Sequence, residues 1–191
     1  MVVGIVAVRD LLLAASVSEM VNRKMAGYGL ERGDLWHHSV AVAAGAQRLA
    51  ASAKYARPDQ ALVAGLMHDI GKLVIDELLR QETTWQAEWT KLQATGISFI
   101  ELERAVTGLD HAELGGRIAE HWNLPDILYE SIAYHHEPER ASVEPCMAQW
   151  VHLADAAALM LGIGLGYDGL SYGMSEQTIT KVAISPTDFE S

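Results

Sequence analysis

Apolar residues recur at helical spacing along most of the chain. Residues 7–25 carry Leu11, Leu12, Ala15, Met20 and Val21 as an apolar set, which predicts a helix broken by Gly27-Tyr28-Gly29. A long helix is predicted over 34–53, with Asp34 as its N-cap or a first-turn residue. On it His38, Val42, Gly45 and Leu49 share one stripe at the spacing of a buried face, while His37 falls with Ala41, Ala44 and Arg48 and faces outward. Pro58 suits the first turn of a helix running to His68, and Gly71 allows a break before another helix over 73–79. Further helices are predicted over 82–94, over 98–106 behind a Ser98 cap, over 111–122 behind an Asp110 cap, from Pro125 to His135, and over 146–161. A glycine-containing loop and a short helix over 175–182, ended by Pro186, complete the chain. No segment sustains strand alternation between turn signals, so the expected fold class is all-α, a compact multi-helix bundle.

Composition narrows the role. A chain of 191 residues suits one domain with a substantial core. Its formal charge of -11 argues against nucleic acid as a partner, because phosphate-backbone binders carry basic patches. The lone cysteine, Cys146, forms no internal disulfide and points to a reducing cytoplasm. Arg9 and Asp10 interrupt the apolar N-terminus, so it does not read as a signal peptide. No stretch reaches the ~20 apolar residues that span a bilayer, and no membrane role is expected. Val2 to Val8 offers an apolar face with little before it to bury against. Residues 1–29 therefore read as the end of a truncated N-terminal helical subdomain, and 30–191 as the helical core with its C-terminal loop and short helix.

The candidate chemistry centres on Leu66-Met67-His68-Asp69-Ile70-Gly71-Lys72, which lies between two apolar runs. A buried imidazole and a buried carboxylate both need partners, and a divalent cation satisfies both. Lys72, one turn beyond Asp69, either pairs with it or holds a phosphate. Ligands inside a helical bundle come from several helices facing one centre. The chain offers Asp34 with His38 at i, i+4, His68 with Asp69, His111, His135 with His136, and Asp155. These are too many for one cation and suit two that share bridging groups. Two close cations favour phosphoester hydrolysis, because they activate water and neutralise developing phosphoryl charge. Plainer readings stand beside these: Asp34 as a helix cap alone, one of His135 and His136 as a cap for helix-end carbonyls, and His37, His121 and His152 as ordinary polar residues. Trp85 and Trp89 read as packing, or as a partner surface if exposed. The late glycines lack the strand-to-helix context and the following Lys-Ser/Thr of a phosphate loop.

This ordered set resembles the HD superfamily of metal-dependent phosphohydrolases, whose series of His, His-Asp and distant Asp falls on His38, His68, Asp69 and Asp155. The wording is closer to the HDOD branch, the HD-related signal-output domain. It is carried by Leu35-Trp36-His37-His38-Ser39, Ala64-Gly65-Leu66-Met67-His68-Asp69-Ile70-Gly71-Lys72, Asp110-His111-Ala112-Glu113-Leu114-Gly115, Trp122-Asn123-Leu124-Pro125, His135-His136 and Val151-His152-Leu153-Ala154-Asp155-Ala156. The resemblance implies an HD-domain bundle with one or two divalent ions, among Fe, Mn, Zn, Ni and Mg. It implies that His38, His68, Asp69 and Asp155 hold the first. Likeness to the HD-GYP branch implies a second on His111, His135, His136 and Asp34, where that branch favours Glu. Lys72 would then steady a phosphate, with Lys72 and Asp69 as the catalytic pair. Pro138-Glu139-Arg140 stands where Gly-Tyr-Pro is expected, so the cyclic-di-GMP substrate of that branch does not carry over. Two roles in bacterial signal transduction follow from the resemblance: hydrolysis of a phosphorylated small molecule, or a non-catalytic output module that engages a signalling protein.

Overall fold

The computed structural model describes residues 15–81, 85–93 and 97–169. The first half of the predicted 7–25 helix, the start of the 82–94 helix and the 175–182 helix lie outside the described residues. Residues 15–21 are helical. The helix ends earlier than its apolar pattern predicts, because Met25 and Leu30 pair in an antiparallel bridge and exchange backbone hydrogen bonds of 2.9 and 3.0 Å. That turn drives Tyr28 fully into the core.

Eight α-helices follow: α1 (Asp34–Ser52), α2 (Pro58–Met67), α3 (Lys72–Gln81), α4 (Trp85–Gln93), α5 (Phe99–Thr107), α6 (His111–His121), α7 (Asp126–Ala133) and α8 (Pro145–Met160). A 3-10 turn at Pro138–Arg140 precedes α8. No strand occurs among the described residues, and the expected all-α bundle is what forms. No helix among them is long and apolar enough to cross a membrane.

Local chemistry sets the boundaries. Pro58 opens α2, where its missing N–H costs nothing. Ser98 and Asp110 each form a capping box, with Glu101 and Glu113, at the starts of α5 and α6. Asp34 lies in the first turn of α1 behind Gly33, whose φ is 95°. Along α1, Leu35, His38, Val42, Ala46 and Ala50 are buried and His37 is exposed, while Gly45 and Leu49 sit at the edge of the buried face.

Helix α2 is the hub. It packs against α1, α7 and α8, and its residues Gln60 to Met67 are almost all buried. A Cβ on Gly65 would lie 2.6 Å from the Ala43 Cα, so glycine permits the close crossing of α1 and α2. Trp85 and Trp89 pack on Phe99, the latter with ring centroids 4.9 Å apart, so this pair is core. Helix α2 stops at Met67, and the turn His68-Asp69-Ile70-Gly71 delivers the chain to α3. A Cβ on Gly71 would run into the His111 carbonyl oxygen, so only glycine lets this turn meet the start of α6. The turn and the α6 start thereby share one wall of the site.

Candidate metal centre

Five imidazoles, those of His38, His68, His111, His135 and His152, are aimed by their Nδ1 atoms. His68 follows the end of α2 and reaches back one turn to the Gly65 carbonyl at 2.8 Å. His135 follows α7 and does the same to the Ile132 carbonyl at 2.8 Å. His38 on α1 donates to the Ile163 carbonyl at 3.0 Å, and His111 opens α6 with its Nδ1 2.8 Å from a Glu103 oxygen. A carbonyl or carboxylate only accepts, so Nδ1 carries the proton and Nε2 presents a lone pair inward. His152 on α8 donates from Nδ1 to the His135 carbonyl at 2.7 Å, which fixes the segment carrying His135 and His136.

The inward atoms converge. His38 Nε2 lies 3.0 Å from Asp155 Oδ1 and 3.7 Å from Asp69 Oδ2. His68 Nε2 lies 3.3 Å from Asp69 Oδ2 and 3.9 Å from Asp155 Oδ1. On the other side, Asp69 Oδ1 faces His111 Nε2 at 3.3 Å and His135 Nε2 at 3.9 Å. The Nε2 atoms of His111 and His136 stand 2.9 Å apart. Asp69 thus straddles two donor sets: His38, His68 and Asp155 on one side, and His111, His135 and His136 on the other. Two ligands between a right angle and the tetrahedral angle on one cation, each at about 2.0–2.2 Å, are separated by roughly 3 to 3.6 Å. Most of these spacings fall in or near that range.

The electrostatics fit a cation. Burial opposes ionisation of Asp69, but His68, Lys72 and His111 hold its carboxyl well below the usual carboxylate range. Burial likewise opposes ionisation of Asp155, yet His38 and His68 hold it at about 2. Burial, with His68 and His111, pushes His135 down to about 3. Burial, with His135 and His111, pushes His136 well below the ordinary imidazole value. Those two rings stay neutral with lone pairs available. Burial also works against charge on His38 and His111, but Asp155 and Glu103 outweigh it and raise both. His68 Nε2 and His135 Nε2 are buried with no hydrogen-bond partner, as is Asp69 Oδ2, although that oxygen lies 3.0 Å from Lys72 Nζ. Orphaned buried acceptors are rare and costly, and a bound divalent cation would satisfy all three.

Of the sequence candidates, His38, His68, Asp69, His111, His135, His136 and Asp155 are brought together. Asp34 is placed apart from them: its carboxylate accepts from the Glu31 N–H at 2.7 Å and closes the turn before α1. Lys72 is buried, 3.0 Å from Asp69 Oδ2 and 2.8 Å from Asp168 Oδ2, with its ammonium over the Tyr28 ring. The sequence reading missed Glu103, Asp168, the Ile163 carbonyl and the orienting role of His152. Loop 161–169 supplies two of these. Gly164, at φ 74°, lies so close to His38 that a Cβ would approach its own Cβ to 2.5 Å.

The HDOD domain family matches residues 1–138. Over 123 residues the chain is 32% identical to an uncharacterised protein of Treponema pallidum (strain Nichols), covering 60% of this chain and 22% of that protein. The crystal structure of an HDOD domain protein of unknown function from Geobacter sulfurreducens matches with a TM-score of 0.69 at 25% identity, over 98% of this chain and 60% of that one. A protein from Shewanella amazonensis, provisionally described as a phosphohydrolase, matches with a TM-score of 0.63 at 24% identity, over 92% of this chain and 66% of that one. The Shewanella likeness is one of fold. The chain spans less than two thirds of the Treponema and Geobacter proteins.

Proposed function

This chain belongs to the HDOD family, and we propose that it binds one or two divalent cations and hydrolyses a small phosphorylated molecule at them. One observation carries the reading: a single buried carboxylate, Asp69, turns one oxygen to each of two donor sets whose imidazoles are already aimed. His38, His68 and Asp155 would hold one cation, and His111, His135 and His136 the other. Bound there, such cations polarise a phosphoester and activate water. Mixed nitrogen and oxygen donors favour Mn, Fe, Zn or Ni over Mg, which prefers oxygen.

The chain's own residues do the rest. Lys72 braces the Asp69 oxygen that faces His38 and His68 and balances its charge. Met67 and Ile70 flank the ligands with apolar surface that excludes bulk water. A cleft of about 390 Å³ reaches the centre at His136; its charged lining is Arg104 and Arg140, paired with Asp110, Glu113 and Glu137, together with Glu101, and it offers a route for substrate. A reducing cytoplasm suits the single cysteine.

The second reading is a non-catalytic output module that uses the centre as structure and its surface for a signalling partner. An apolar groove of about 340 Å³ along Met20, Val74 and Trp122 favours it. Elemental analysis of protein purified in chelator-treated buffer, then a phosphodiester and nucleotide screen with added Mn²⁺, separates them. Turnover abolished by His68→Ala and Asp69→Asn establishes the hydrolase. Stoichiometric metal without turnover on any substrate favours the module instead, and protein that takes up no metal removes the hydrolase.

A further inference from the structure

Glu103 is fully buried on α5, beside Phe99 and Leu102. An aliphatic side chain would fill this position without desolvating a charge, so the carboxylate calls for a cause. Its hydrogen bonds give one. Tyr28 donates to Oε1 at 2.5 Å, and the His111 N–H donates to Oε2 at 2.8 Å. The His111 Nδ1 lies 2.9 and 2.8 Å from the two oxygens. The carboxylate therefore holds both the ring and the backbone of one residue.

Its neighbours are held differently. The Nδ1 partners of His38, His68 and His135 are neutral carbonyls. A carboxylate on Nδ1 pushes electron density to Nε2 and locks the ring, and loss of such a partner typically costs 10–100-fold in metal affinity. Tyr28 tempers this push, because its hydroxyl draws charge from the same carboxylate. The turn closed by Met25 and Leu30 fixes Tyr28 in place.

We infer that Glu103 is a positioning residue that makes His111 a stronger nitrogen donor than His38, His68 and His135. It thereby tightens the three-imidazole position formed by His111, His135 and His136, with Tyr28 as its moderator. This rests on the metal-binding reading above.

Cobalt(II) titration of the chelator-treated full chain tests it, followed by calorimetry and by visible absorption, which reports the ligand field. Glu103→Gln keeps an acceptor and removes the charge. It is expected to weaken one binding step 10–100-fold and alter that step's spectrum, while Asp155→Asn weakens a different step. Tyr28→Phe removes the hydroxyl that draws charge from the carboxylate and should tighten the Glu103-dependent step. The inference is overturned if Glu103→Gln leaves every step unchanged, if it and Asp155→Asn weaken the same step, or if Tyr28→Phe weakens binding as Glu103→Gln does. An unchanged step in Tyr28→Phe likewise overturns the moderating role. Should Glu103→Gln fail to fold by circular dichroism, Tyr28→Phe decides: a tightened step supports the inference, and an unchanged or weakened one overturns it. Wild-type protein that binds no cobalt refutes the metal-binding reading itself.

Discussion

Gly71→Ala tests how the site is assembled. The added methyl would meet the His111 carbonyl oxygen, and would lie 2.8 Å from the His111 carbonyl carbon and 2.7 Å from the Gly115 nitrogen, where ordinary contact begins at 3.4 Å. All three are backbone atoms of α6, so no rotamer change relieves the overlap. Overpacking against movable side chains costs about 1–3 kcal/mol. Against fixed backbone the upper end, about 3 kcal/mol, is the expected minimum. For a chain of this size each kcal/mol moves the melting temperature by about 2–4 °C, so a fall of roughly 6–12 °C follows. Gly108→Ala is the control. It has φ 84° with no atom within 4 Å of the new methyl, so only left-handed strain of about 1 kcal/mol applies. Calorimetric melting of both variants in chelator measures the difference. Gly71→Ala should also weaken a metal-binding step, because retreat of α6 carries His111 away from Asp69. A Gly71→Ala melt within about 2 °C of wild type would refute the seating of α6 on the 68–71 turn.

Three other outcomes are expected. Manganese at a hundred times its dissociation constant should stabilise the fold by about 2.7 kcal/mol, raising the melting temperature by roughly 5–11 °C, and chelator should reverse this. Metal affinity should fall as pH drops, because His38 and His111, both raised by their acidic partners, retain protons that the cation must displace; calorimetry in buffers of different ionisation enthalpy reads the released protons. Glu130 accepts from the Ser142 N–H, the Ser142 hydroxyl and the Val143 N–H at 2.7–2.8 Å, so Glu130→Ala should cost about 2–4 kcal/mol by urea unfolding. Burial opposes charge on Glu130, but these bonds win and hold it below 4.5; its contribution is therefore present above that pH and lost as pH falls through the folded value, and Glu130→Gln should flatten this acid limb.

The parts of the fold that were legible in the sequence are those fixed locally. Ser98 and Asp110 cap helices because their side chains reach backbone only three residues away. Pro58 and the 68–71 break are equally short-range. The clustered imidazoles and carboxylates were legible for a related reason: each lies at a helix end or on an inward stripe, next to apolar residues that must be buried. The supporting groups were not. Ile163 is 125 residues from His38, Asp168 is 96 from Lys72, and Tyr28 is 75 from Glu103. Nothing in spacing or composition links such pairs. Two of the three ring partners named for His38, His68 and His135 lie one turn back on their own helix, yet a carbonyl is supplied by any residue and leaves no signature. His152 reads as an ordinary polar residue for the same reason, since its partner is the His135 main chain. Asp34 has a ligand's residue type and spacing, but its carboxylate closes a turn over three residues instead.

The loop after α8 has a consequence for the order in which the pocket can be completed. His68, Asp69, His111, His135 and His136 all precede the 3-10 turn, whereas Asp155, the Ile163 carbonyl and Asp168 follow it. In chain order every member of the three-imidazole group comes before the residues that finish the His38 side, yet His152, which holds the His135 segment, lies on α8 as well. Neither side of the pocket is therefore closed until α8 and the loop behind it have docked, and the last-made stretch of the described residues acts as its clasp.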